Sequence, residues 1–290
     1  MLKMMPRGAF NREKLTMILR LAAIFFTGIF LSACDNTNQS AKVGVGLDDK
    51  TLQAATTPAA YYEYLWCKRG ENWTQEASME FVADWNAEIE KLENTVEGAF
   101  GYQPRGEADD RFDGLWALRW ADEETMTAGW EEYEKAGIND RLQEKYPDHL
   151  SCGNTVGQDR YGFVTYQPLD APEGFASESP YYLENNFCSY KEGRSIDDFR
   201  PFMLEQFIPY IQASKAQGLY QGYWFLVGVP VDVSPEPGDF NWIHFSTSAE
   251  ESARDNMIFE NSKGGQELQA KMLEILKCSE PRKWDGYVIR

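Results

Sequence analysis

The sequence has few of the residues that most often carry chemistry. Its 290 residues include only two histidines, His149 and His244, and five cysteines with no Cys-x-x-Cys pair among them. The short motifs of serine hydrolases, zinc proteases, phosphate-binding loops and dinucleotide-binding turns are all missing. The sequence therefore identifies no reaction and predicts neither a metal site nor a cofactor.

Basic residues are also scarce. Lysine and arginine number 28 against 46 aspartates and glutamates, which sets the formal net charge at −18. A surface this acidic is repelled by nucleic acids and by anionic lipid headgroups. We therefore expect no nucleic-acid partner, and we expect membrane attachment to need a covalent anchor.

An apolar run near the start, Leu21–Leu31, follows the basic residues Lys14 and Arg20. It is too short to span a bilayer comfortably and has the layout of a secretory signal. It leads into Leu-Ser-Ala-Cys ending at Cys34, which resembles the lipobox of bacterial lipoproteins. The resemblance implies that residues 1–33 are a signal peptide and that Cys34 is acylated and inserted in the lipid bilayer. An ordinary signal peptide or a membrane anchor is the alternative.

The residue after Cys34 is Asp35. In enterobacterial lipoproteins an aspartate there favours retention at the inner membrane, so the resemblance implies the periplasmic face of that membrane rather than the outer membrane. Residues 34–60 are mostly small and polar, which predicts a flexible tether between the lipid and the folded part.

The rest of the chain contains an internal repeat. The segment Gly98–Cys152 matches a segment 126 residues later without a gap, and the matched pairs include Pro104 with Pro230, Trp116 with Trp242, and Cys152 with Cys278. The repeat predicts two homologous domains, 61–167 and 181–290, joined by a proline-containing linker over 168–180. Because a duplicated chain has less need to dimerise, it favours a monomer.

Each repeat carries one cysteine near its start and one near its end. Four cysteines allow three pairings, and the repeat selects Cys67–Cys152 and Cys188–Cys278. An oxidising periplasm would allow both bridges to form. Free or metal-binding thiols are the alternative.

The pattern of apolar residues in both repeats predicts the order β-α-β-β-α-β, with Gly137 and Gly264-Gly265 interrupting the longer helices. This order is that of a ferredoxin-like unit, which leaves one face of its sheet uncovered. The predicted fold class is therefore α+β, with two tandem ferredoxin-like repeats packed through their sheets as an intrachain barrel. It resembles the dimeric α+β barrel superfamily.

Strand alternation predicts an aromatic face between the two sheets. The space between the sheets is either a ligand cavity or a packed core. If it is a cavity, the candidate pocket residues are Tyr64, Trp66, Lys68, Trp116, Trp120, Trp242 and His244. His244 is the only candidate for a catalytic group, as a proton acceptor, and a structural core histidine is its alternative. His149 is expected to be exposed.

Three functions are compatible with these features. The first is a membrane-tethered periplasmic lipoprotein that binds a small apolar or aromatic ligand, or a protein, without catalysis. The second, implied by the superfamily resemblance, is a cofactor-independent monooxygenase or isomerase that uses His244. The third is a structural component of an envelope complex.

Overall fold

A computed structural model of the protein describes residues 46–106, 109–175 and 179–290. The predicted signal peptide, the lipidation site Cys34 and most of the predicted tether lie outside these residues. Within them, no helix is both long enough and apolar enough to cross a membrane.

The described residues form ten strands, which stand singly or in runs of two or three between the helices. The strands are β1 (Ala60–Arg69), β2 (Gly98–Arg105), β3 (Gly114–Trp120), β4 (Leu150–Cys152), β5 (Arg160–Tyr166), β6 (Tyr181–Tyr190), β7 (Trp224–Pro230), β8 (Phe240–Ser246), β9 (Leu276–Cys278) and β10 (Arg282–Val288).

Eight of these strands form a closed antiparallel barrel. Their order is β10-β2-β3-β1-β5-β7-β8-β6, and β6 pairs back with β10 to close the ring. The short strands β4 and β9 pair with β1 and β6. The two stretches of chain on either side of residues 167–180 meet edge to edge, through β2 with β10 and β5 with β7. The α+β class and the closed barrel are thus present.

Helices cover the outside of the barrel. They are α1 (Asp49–Thr56), α2 (Gln75–Ile89), α3 (Glu123–Lys135), α4 (Ile138–Lys145), α5 (Ile196–Phe202), α6 (Ile208–Lys215), α7 (Ala249–Asn261) and α8 (Lys263–Ile275), with a π-helical turn at Met203–Phe207 between α5 and α6.

Two helix breaks show how local sequence sets these boundaries. Gly137 separates α3 from α4 as predicted, and its φ of 60° is a left-handed conformation that glycine adopts without strain. The second break lies at Ser262 rather than at Gly264-Gly265. There the Ser262 hydroxyl accepts a hydrogen bond from the Gly265 N–H at 3.0 Å, which begins a new helix.

Helix α1 replaces the predicted flexible tether over Asp49–Thr56. The Asp48 side chain caps its start by accepting from the Thr51 N–H. Thr51 is buried, and its hydroxyl accepts a hydrogen bond from Gln212 Nε2 at 3.0 Å. The tether prediction was wrong here because these tertiary contacts are invisible in a polar local sequence.

The predicted disulfide pairing is confirmed. Cys67 is bonded to Cys152, and Cys188 is bonded to Cys278. Each bridge ties a long central strand, β1 or β6, to the short strand paired with it.

The interior of the barrel is packed with aromatic side chains. Tyr64 packs against Phe163 and Tyr102, and Trp66 packs against Phe112 and Tyr161. The space left between them is about 40 Å³, whereas pockets for small molecules are typically several hundred Å³. The space between the sheets is therefore a core, which removes the predicted position for a ligand.

Candidate functional site

The tryptophans of β3 face the helices and not the barrel interior. The ring centroid of Trp116 lies 4.8 Å from that of Trp85 on α2, and Trp120 lies 6.2 Å from Trp130 on α3. Ala117, which is fully buried, faces the interior instead. The predicted inward direction of Trp116 and Trp120 was wrong, because alternation defines two faces of a strand without saying which one the helices cover.

The same correction applies to β8. The Trp242 ring lies 5.2 Å from Phe207, in the helical layer, and 5.0 Å from the ring of His244. Both side chains therefore lie under the helices that follow β6 in the chain.

The seven predicted pocket residues are thus divided among four places. Tyr64 and Trp66 are in the barrel core. Trp120 lies under α3. Lys68 and Trp116 line a cavity between the barrel and α2–α4, called here the first-half cavity, and Trp242 and His244 line a cavity between the barrel and the helices α6–α8, the second-half cavity.

The second-half cavity has a volume of about 360 Å³, within the usual range for a small-molecule site. Five aromatic side chains form much of its wall: Phe207, Tyr220, Tyr223, Trp242 and Phe259. Three acidic side chains also line it, Glu184, Asp255 and Glu260, and among the described residues of its lining there is no lysine or arginine.

His244 presents a neutral imidazole to this cavity. Its Nδ1 lies 2.9 Å from the Tyr223 hydroxyl, and its ring stacks between Trp242 and Tyr223. Burial among these rings lowers the pKa of His244 to about 4, so the imidazole is uncharged at neutral pH. Within the part of the chain that the structure describes, no residue forms a hydrogen bond with its Nε2.

Asp255, on α7, contributes an unpartnered acidic oxygen. The residue is 5% exposed; its Oδ1 lies 3.3 Å from Arg254 Nη2, while Oδ2 is buried with no hydrogen-bond partner among the residues described. Burial raises the pKa of this carboxyl group, with the Glu251 carboxylate acting the same way and Arg254 opposing it. Trp242 Nε1 is likewise buried and unpartnered.

These groups give the second-half cavity a defined chemistry. Its lining residues include aromatic rings, a carboxyl group with one unpartnered oxygen, an indole with an unpartnered N–H, and an uncharged imidazole. Sequence reasoning identified Trp242 and His244 but missed Asp255 and Tyr223. Asp255 lies in an acidic helix whose spacing gives no sign that one carboxylate is buried.

The first-half cavity is larger, about 580 Å³. Lys68 lines it near the barrel rim, with its ammonium nitrogen 3.6 Å from Asp113. His149 also lines it and is 2% exposed, so the prediction of an exposed His149 was wrong. Over residues 46–106, 109–175 and 179–290, no group of three or more histidine, cysteine, aspartate or glutamate side chains could hold a metal ion.

No family model and no curated protein matches the sequence. Among solved structures, the chain is similar to chlorite dismutase from Candidatus Nitrospira defluvii in complex with imidazole, at 13% identity and a TM-score of 0.47 over 82% of this chain and 94% of that one. It is also similar to an anthrone oxidase-like protein, at 11% identity and a TM-score of 0.41 over 80% and 94%. Similarity at this level carries no function to this chain.

Proposed function

We propose that the protein is a binding protein whose ligand is a small aromatic amine held in its protonated form in the second-half cavity. The observation that supports this most directly is the Asp255 Oδ2 atom, buried without a partner in the lining of an aromatic cavity. A buried carboxyl oxygen without a hydrogen bond is costly, and a ligand ammonium group would supply the missing donor.

The rest of the lining favours the same ligand. Aromatic faces attract organic cations through the ring quadrupole and also stack on a ligand ring. The carboxyl groups of Glu184 and Glu260 add negative charge, and no basic side chain in the described lining competes for it. A neutral His244 adds no positive charge either.

The test is a calorimetric titration of the purified full-length chain, in detergent at pH 7, with phenethylammonium. We expect saturable binding, and we expect neutral phenethyl alcohol to bind about 10- to 100-fold more weakly because it lacks the charge-assisted hydrogen bond. Asp255→Asn should weaken phenethylammonium binding by a similar factor and leave the alcohol nearly unaffected.

The matched control is Glu250→Gln, which removes one carboxylate from the exposed start of the same helix without changing the cavity lining. Equal loss of affinity in Glu250→Gln and Asp255→Asn would indicate a general charge effect. Unchanged affinity in Asp255→Asn, or equal affinity for amine and alcohol, would refute the proposed ligand class.

We propose further that this binding protein is a bacterial lipoprotein, cleaved after residue 33 and anchored through acylated Cys34 at the periplasmic face of the inner membrane. The sequence before Cys34 and the two disulfides, which suit an oxidising compartment, support this. A Cys34→Ser chain should move from the membrane fraction to the soluble fraction. Its continued sedimentation with inner membranes would contradict the anchor.

We also propose that the two halves are tandem ferredoxin-like repeats that fold as a monomer. The helix-strand order supports a duplication, as do the equivalent positions of Trp116 on β3 and Trp242 on β8, both under helices. A role as a structural component of an envelope complex stays a prediction.

A second candidate function is proton transfer by His244, as in an isomerase. The supporting observation is that this uncharged imidazole lines a cavity and is oriented by the Tyr223 hydroxyl. In the tautomer whose Nδ1–H donates to the Tyr223 hydroxyl, the bare Nε2 would take a proton from a carbon beside a carbonyl group and return it to a neighbouring atom. The test is deuterium exchange into phenylacetone, measured in the same preparation. Exchange that is lost in His244→Gln would support proton transfer. Binding of phenylacetone without exchange would support the binding function.

A further inference from the structure

The first-half cavity holds buried polar groups that the proposed function does not use. It lies between the barrel and helices α2–α4, and none of its lining residues belongs to the second-half cavity. Aromatic side chains form much of its wall, including Trp85, Trp116 and Trp130. Its volume of about 580 Å³ is ample for a small organic molecule.

His149 is one of the polar residues that line this cavity. The Ser78 hydroxyl lies 2.9 Å from the Thr74 carbonyl oxygen, to which it donates its only proton, and 3.2 Å from His149 Nε2. Because that hydroxyl proton is used, we assign Nε2 as the donor in this contact, the tautomer in which Nδ1 is an acceptor. Nδ1 is buried with no partner within the described parts of the chain.

Two donors in the same lining also lack a hydrogen-bond partner among the described residues. Trp116 Nε1 and Arg160 Nε are buried and form no hydrogen bond to any residue that the structure describes. Buried donors of this kind are rare in folded proteins unless water or a ligand satisfies them.

Arg160 is held in place but is only partly used. Its guanidinium lies 4.9 Å from the centre of the Trp130 ring, and its Nε lies 3.5 Å from Glu63 Oε1. Its two terminal nitrogens have no hydrogen-bond partner in the described ranges, and the side chain keeps 25% of its exposure. An arginine fixed by stacking, with its outer edge free, is suited to receive a carboxylate through two parallel hydrogen bonds.

From these groups we infer that the first-half cavity is a second ligand site, and that its ligand is a small aromatic carboxylate that also carries a hydroxyl group. The carboxylate would accept from Arg160 and from Trp116 Nε1, the ring would lie among the tryptophans, and the hydroxyl would donate to His149 Nδ1. Lys68 and Arg69 also line this cavity and add positive charge.

The two cavities would then select opposite charges. Three basic side chains line the first-half cavity, Lys68, Arg69 and Arg160, alongside the acidic Glu134 and Asp148. In contrast, the described lining of the second-half cavity contains acidic side chains and no basic ones. Each nevertheless retains an unpartnered tryptophan N–H at a matching position of the repeat, Trp116 or Trp242. These paired tryptophans provide a matched pair of variants.

The test uses the full-length chain in detergent, with tryptophan indoles labelled with ¹⁵N, and para-hydroxybenzoate as the probe. We expect saturable binding by calorimetry and a shift of the Trp116 indole signal but not the Trp242 signal. Para-hydroxybenzamide and benzoate should each bind more weakly, the first by about 10- to 100-fold because it lacks the charge. Inorganic phosphate is titrated in parallel, and tighter binding of phosphate than of para-hydroxybenzoate would overturn the carboxylate assignment.

Variants then locate the site. Trp116→Phe and Arg160→Lys should each weaken para-hydroxybenzoate binding by about 10-fold or more, while Trp242→Phe should leave it unchanged. Arg160→Lys keeps the positive charge, so a loss of affinity in this variant reports the two parallel hydrogen bonds from the guanidinium group. This result remains informative if Trp116→Phe lowers the melting temperature. Equal effects of Trp116→Phe and Trp242→Phe, or no binding of the probe by the folded parent chain, would overturn the inference.

Discussion

Replacing both Cys67 and Cys152 with alanine should lower the free energy of unfolding by about 4–5 kcal/mol. The bridge joins residues 85 apart in sequence, and a cross-link over so long a segment removes much of the conformational freedom of the unfolded chain. Urea denaturation of the full-length chain, followed by tryptophan fluorescence, measures the change. A loss below about 1 kcal/mol would show that the unfolded chain is already restricted without the bridge.

The second bridge provides the control for this result. Cys188 and Cys278 are 90 residues apart, so the same change there should have nearly the same effect. Cys152 lines the first-half cavity, whereas Cys188 and Cys278 line the second. Removing one bridge should therefore lower the affinity for the probe of the cavity that it lines more than the affinity for the probe of the other cavity. Loss of both affinities together would indicate that the whole barrel had loosened.

Glu63→Ala should lower the free energy of unfolding by about 3–5 kcal/mol. Glu63 is 3% exposed, and its Oε2 accepts hydrogen bonds from Trp120 Nε1 at 3.1 Å and Trp130 Nε1 at 2.6 Å. Its Oε1 faces Arg160 at 3.5 Å. Alanine would leave the buried Trp120 N–H and the partly buried Trp130 N–H without an acceptor, and Arg160 without its counter-charge.

Glu63→Gln separates the two causes, because its carbonyl oxygen can still accept from the indoles. We expect it to cost about 1–2 kcal/mol, clearly less than alanine. Equal losses in the two variants would show that charge, rather than hydrogen bonding, dominates at this position.

The pH dependence gives an independent check on Glu63. Burial raises the pKa of its carboxyl group above the usual 4.5, opposed by the N–H of Trp130 and by Arg160. Between 4.5 and this raised pKa the folded chain binds more protons than the unfolded chain, so stability falls as pH rises through that interval. The free energy of unfolding of Glu63→Gln, measured by denaturation at a series of pH values, should not show this fall.

The predictions that depended on the spacing of residues along the chain were correct. The predicted repeat paired Cys67 with Cys152 and Cys188 with Cys278, and the structure has both bonds. Cys67 also fixed the direction of side chains on β1. Because Cys67 must reach Cys152 on the side of the helices, its neighbour Trp66 must face the opposite side of the strand. Trp66 does lie in the barrel core.

The prediction of side-chain direction failed on strands that have no cysteine to show which of their two alternating faces lies under the helices. On β3 and β8 nothing in the local sequence shows which face the helices cover, so Trp116 and His244 were assigned to the wrong side. Helix α1 was missed for a related reason, since Thr51 is buried by a contact with Gln212, far along the chain.

The amino-acid sequence by itself determined the acidic charge, the cysteine pairing and the alternating pattern of each strand, since all of these depend on residue identity and spacing. Only the tertiary structure decided that aromatic side chains fill the barrel and that two separate cavities lie beneath the helices. The reason is geometric: whether a strand face becomes core or cavity wall depends on how closely distant side chains approach it. Asp255 and His149 gained their importance only when the folded chain buried them without partners.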